Sequence, residues 1–185
     1  MHMSEESQEP TTSPYAPVSA DDPLFGEITV ELDHAEGSLA VHGGAALPRV
    51  EMHRAAGTPL ETHVPIGTRD PERLTMTVDG TPVPLRPAKG FLTRRSYRVD
   101  TGPDERGTRY RLIPSGVETS RLLRDGRPLA EFTSAGDGRV TVEWRPDAAP
   151  EPADAALGHA LAAAFGTGAE PMWRLTLDAV LELLP

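Results

Sequence analysis

Cysteine is absent from this 185-residue chain. That excludes a disulfide framework, a thiolate metal site and a cysteine nucleophile. Long apolar runs are missing as well: nothing approaches the roughly 20 residues that a membrane-spanning helix requires. No basic segment leads into an apolar stretch near the amino terminus, so no secretion signal is legible, and the chain reads as intracellular and cytoplasmic. Aromatic side chains make up only 5%, which leaves the core to aliphatic residues. Lysine occurs once, at Lys89, so arginine carries the positive charge. A GC-rich coding sequence produces the same bias.

What is abundant is punctuation. Seventeen glycines and nineteen prolines imply many short elements joined by turns. Residues 1–23 are mostly Ser, Glu, Thr and Pro and cannot bury enough apolar surface to offset their ordering entropy, so a disordered tail is expected there. Residues 24–185 are expected to form one globular domain, β-rich over 24–146 and helical over 147–185.

The β-rich part alternates with period two. Ile28, Val30 and Leu32 interleave with Glu27, Thr29 and Glu31. Leu74, Met76 and Val78 run into Asp79-Gly80, a two-residue turn that needs positive φ at both positions and pairs Val78 with Thr81 and Met76 with Val83. A second Asp-Gly, at Asp125-Gly126, joins Thr119–Arg124 to Arg127–Phe132. Ala135–Gly138 turns the chain back toward Val140, Val142 and Trp144. About ten short antiparallel strands follow from this count, closed as a barrel or stacked as a sandwich.

Two helices are expected after the Pro/Ala linker 147–152. Pro152 suits a first helical position and Asp154 the first turn. From Ala153 to Phe165 only Asp154 and His159 are polar, so this helix should be enclosed on every side. Gly166 ends it. A second, amphipathic helix over Met172–Leu184 carries the stripe Trp173, Leu177, Val180, Leu181 and Leu184. That stripe would pack on the domain, meet a partner or form a homodimer.

The hairpin Leu122–Ala130 followed by the apolar helix Ala155–Phe165 resembles the tubby-like group, which includes phospholipid scramblases and plant LURP-one proteins. The resemblance covers Leu24 to Phe165 and implies a closed β-barrel wrapped around a hydrophobic helix. The second helix departs from that pattern, and the resemblance assigns no functional residue.

Two constellations could carry chemistry. Glu51 and His53 share one strand face, as do Glu61 and His63. If 48–66 is a hairpin with Arg54 opposite Leu60, the four form a square able to bind zinc or iron, or to place a base beside an acid. The same pattern also describes a solvated face with complementary cross-strand charges. The second constellation is electrostatic. From Arg86 to Arg127 there are eleven basic and five acidic residues, a balance of +6 in a chain whose net charge is −10. With Tyr97, Val99, Tyr110 and Leu112 facing inward, Arg94, Arg98, Arg109 and Arg111 gather outside, where guanidinium forks suit phosphate or carboxylate. An isoelectric point near 5.0 argues against nucleic acid, and no cofactor motif is present. These features favour a non-catalytic module for an anionic small ligand or an acidic protein partner. The alternative is a metal-dependent or Glu/His acid-base enzyme on the 48–66 hairpin.

Overall fold

Alternating apolar residues and left-handed turns build the chain into two antiparallel meanders around one helix. The computed structural model describes residues 16–90 and 97–166. The first sheet holds β1 (Val18–Asp22), β2 (Gly26–Asp33), β3 (Ser38–Gly43), β4 (Val50–Arg54), β5 (Leu74–Val78) and β6 (Thr81–Pro82), in chain order. The second holds β7 (Leu85–Pro87), β8 (Val99–Thr101), β9 (Tyr110–Pro114), β10 (Thr119–Arg124), β11 (Arg127–Ser134) and β12 (Val140–Trp144), again in chain order. The helix α1 (Pro152–Phe165) packs against β2, β3 and β4 on one side and β9 to β12 on the other.

The two Asp-Gly turns take the expected geometry. Asp79 and Asp125 sit at φ 48° and 49°, and Val78 pairs with Thr81 as the turn requires. Among the described residues twelve strands form where about ten were expected. One of them, β1, lies inside the expected tail. Residues 18–22 pair with 26–30 of β2, and the Asp22 carboxylate caps the connecting turn by accepting from the amides of Leu24 and Phe25. A polar composition was therefore a poor guide here, because the ladder to β2 supplies the ordering energy that side-chain burial does not.

The sheets do not close into a barrel. The chain passes from β6 to β7 through Val83 and Pro84, where Val83 donates to Met76 of the first sheet and Pro84 accepts from Gly102 of the second, so each sheet keeps its own ladder. At the other seam β1 and β12 lie side by side with no hydrogen-bonded pairing between the sheets. The resemblance implied closure, and on that point the fold departs from it.

Helix α1 meets the expectation of enclosure: every residue from Asp154 to Phe165 is buried. Its alanines let both sheets approach closely. Gly158 is the tightest point, since a Cβ there would lie 2.2 Å from the Phe132 ring. Gly166, at φ 59°, ends the helix. The expected second helix, with Trp173, Leu177, Val180, Leu181 and Leu184, lies outside the described residues.

Candidate functional site

The sheet-2 alternation places an arginine face on the outer surface. Arg86, Asp100 and Arg111 stand opposite one another across β7, β8 and β9. Arg98 and Arg109 continue the same alternation one step before β8 and β9, because residues i and i+2 of a strand share a face. Their inward neighbours are Val99, Tyr110 and Leu112, all buried. Asp100 is shared between two guanidinium groups: Arg98 Nε donates to Oδ2 at 3.2 Å and Arg111 Nε to Oδ1 at 2.5 Å. Arg109 is exposed and Arg86 also faces solvent. Four arginines thus share this face, two of them on one carboxylate. Arg94 lies outside the described residues.

The Glu/His square does not form. The strand β4 pairs with β3 and β5, so Glu51 stands between Ala40 and Thr77, and His53 between Ser38 and Thr75. Residues 55–70 are a looped excursion rather than a return strand. In it Glu61 accepts from the Arg69 amide at 3.2 Å and His63 is exposed. Among the described residues no group of three or more His, Asp or Glu side chains could hold a metal ion. The excursion has a physical cause that strand periodicity could not reveal. Arg54 donates to the carbonyls of His34, Ile66 and Ala35 at 3.0, 2.8 and 2.6 Å. The His34 ring lies 2.7 Å from the Pro65 carbonyl, and the Ile66 amide donates to Ala164 at the carboxyl end of α1. Tertiary anchors hold the segment against the helix end, and a cross-strand ladder is not needed.

A second arginine, Arg69, supports the same end. It is 2% exposed, donates from Nε to Ala88 O at 2.8 Å and from Nη2 to Tyr97 O at 2.5 Å, and lies over the rings of Tyr97 and Phe165 at 5.5 and 5.3 Å. Burial pulls its pKa down to about 10, against the opposing charge of Glu61, so the group stays cationic at neutral pH.

At the opposite end, five connections meet over the amino terminus of α1: the β3–β4, β5–β6, β8–β9 and β10–β11 turns and the segment entering the helix. They enclose an open cleft of about 720 Å³. Its rim carries Asp79, Asp104, Glu105, Asp125 and Glu151 against Arg106 and Arg124. Beneath it lies a network that sequence reading missed. Asp154 is fully buried and accepts from Tyr110 OH at 2.8 Å, Arg124 Nη1 at 2.6 Å and the Glu151 amide at 2.7 Å. Burial, with the neighbouring Asp154 carboxylate, pushes the Tyr110 phenol well above its ordinary range, so it stays protonated and acts only as a donor. The signal available in the sequence was a lone acid in an otherwise apolar helix, which reads equally well as a dipole-favouring residue of the first turn.

No protein-family model matches the chain, and no curated protein or solved structure matches it. Among the described residues no helix is long and apolar enough to cross a membrane.

Proposed function

We propose that this chain is a non-catalytic, cytoplasmic binding module whose arginine face on β7–β9 receives the phosphate or carboxylate oxygens of an anionic ligand or an acidic protein partner. The observation that supports it is the outer face of three paired strands. There Arg86, Arg98, Arg109 and Arg111 share one face, with the Asp100 carboxylate held between Arg98 and Arg111. Arg98 and Arg111 are held in place by that carboxylate and keep unused N–H donors. Charge-assisted, bidentate contacts of this kind are among the stronger polar interactions available at a surface.

Tripolyphosphate and a polyglutamate peptide are the probes that test this reading. Arg109 makes no ion pair in the described residues, so Arg109→Ala should leave the melting temperature within about 1–2 °C while weakening binding several-fold. The double variant Arg98→Ala/Arg109→Ala should bind at least tenfold more weakly. Affinity should also fall steeply between 50 and 300 mM salt, because exposed charges are screened over about 10 Å at 0.1 M. Equal affinity of wild type and double variant for both probes would refute the proposal.

A further inference from the structure

The seam between β1 and β12 is closed by side chains, and four of them form a ring drawn from four elements. Asp22 of β1 accepts from the Trp144 indole of β12 at 3.0 Å. Trp144 packs edge-on against Phe132 of β11 at 5.8 Å, and Phe132 edge-on against His159 of α1 at 5.4 Å. The Asp22 charge favours the protonated His159 imidazole, so the two ends of the set are linked electrostatically. Asp22 is 4% exposed and His159 1%.

The protonation state of this histidine follows from its partner. Nδ1 lies 2.9 Å from the Ala155 carbonyl, and a carbonyl can only accept, so Nδ1 carries the proton. In the neutral ring Nε2 is then a bare acceptor. Buried Nε2 has no hydrogen-bond partner, and neither has Asp22 Oδ2. Two buried acceptors on one ring make a place where proton uptake changes the local balance at once. Few other charges bear on it. The faces that β2, β3, β4, β11 and β12 turn toward α1 are aliphatic, aromatic, methionine or serine, and β10 adds one charge, Arg124 at its end. From β9 comes Tyr110, which is tied to Asp154, and Asp154 is neutralised by Arg124. Arg69 lies at the Phe165 end of the helix, roughly six residues or 9 Å along the axis from His159.

We propose that the ring Asp22–Trp144–Phe132–His159 is a proton-sensitive latch: protonation of His159 loosens the seam between β1 and β12 and exposes α1. The seam is the place that yields because no ladder holds it. The direction follows from linkage. Burial holds the His159 pKa below the ordinary 6.5, with the Ala155 carbonyl and Asp22 opposing. As pH falls below 6.5, the opened state takes up a proton that the closed state refuses. Closure therefore weakens by up to about tenfold per pH unit until the closed-state pKa is reached.

The test is hydrogen exchange followed by mass spectrometry on the full chain at pH 7.5 and 5.5, with rates corrected for intrinsic chemistry. A proton NMR titration of the His159 ring runs in parallel. Peptides covering β1 and β12 should exchange at least fivefold faster at pH 5.5 relative to those covering β4 and β5, and His159 should titrate below 6.5. His159→Leu should abolish the pH difference. Should that variant fail to fold, Asp22→Asn keeps the acceptor for Trp144 but removes the charge that favours protonation of the closed state, so the His159 ring should titrate at lower pH and the seam should loosen at least as much at pH 5.5 as in the wild type. Seam exchange that does not change with pH would overturn the latch. So would a uniform loosening of all strands, an acid response that persists in His159→Leu, or, in Asp22→Asn, a His159 titration that does not move down or an acid response that shrinks. A ring that titrates at or above 6.5 would overturn it as well.

Discussion

Asp154 has no exposed surface, yet it carries a charge, and that is affordable because three donors converge on it. Arg124 is a quarter exposed and keeps Glu151 and the Ala149 carbonyl, so removing Asp154 strands chiefly the Tyr110 hydroxyl and the Glu151 amide. Asp154→Ala should accordingly cost about 1–3 kcal/mol, read from urea denaturation. Tyr110→Phe removes a single neutral donor to the same carboxylate and should cost about 1–2 kcal/mol. Gly158 tests packing rather than charge. Its Cβ would lie 2.2 to 2.8 Å from three atoms of the Phe132 ring, a side chain itself wedged between Trp144 and His159. Gly158→Ala should destabilise by about 1–3 kcal/mol, the usual cost of overpacking, although alanine is the better helix former. A stabilised Gly158→Ala would mean that the helix has room to shift.

The Asp-Gly hairpins separate backbone demands from side-chain ones. Asp125 supplies a left-handed φ and accepts from the Arg109 amide at 2.9 Å. Asparagine meets both requirements, so Asp125→Asn should change stability by less than about 0.5 kcal/mol. Gly126 at φ 81° has open space for a Cβ and lacks only conformational permission. Gly126→Ala should cost about 1 kcal/mol by thermal unfolding. The excursion 55–70 obeys a different rule, since it is held by Arg54. A Cβ at Gly67 would sit 2.0 Å from the Arg54 guanidinium, so glycine here serves the arginine as much as the turn.

Both sheets bury their inner faces against the same helix, and the seams between them carry no ladder. Neither sheet has a core of its own, so unfolding should be one cooperative transition. Ending the chain before Pro152 should remove the folded state altogether, as dispersion loss in an amide NMR spectrum would show. Charge is segregated across this unit. The acids of the connections gather at the α1 amino-terminal end, while arginines occupy the outer face of β7–β9. The acidic end should leave an anion bound at the arginine face undisturbed at moderate salt, where the screening length is about 8–10 Å.

Period-two alternation and the Asp-Gly pairs were enough to place the β5–β6 and β10–β11 hairpins. The polar poverty of Ala153–Phe165 was enough to demand a fully enclosed helix, since both are local properties of the chain. The outward placement of Arg98, Arg109 and Arg111 was legible for the same reason, as alternation decides which side of a strand a residue takes once its neighbours must be buried. Nothing local could show that β1 begins at Val18, because a strand of small polar residues is stabilised by its ladder partner. Nor could spacing reveal that Glu51 and His53 never meet Glu61 and His63. That depends on Arg54 anchoring the intervening loop to carbonyls distant in sequence. Asp154, Arg124 and Tyr110, and likewise Asp22 and Trp144, come together only when two sheets pack on one helix. Burial turns these ordinary polar residues into partners, because in the core an unmet charge or acceptor costs far more than it does in water.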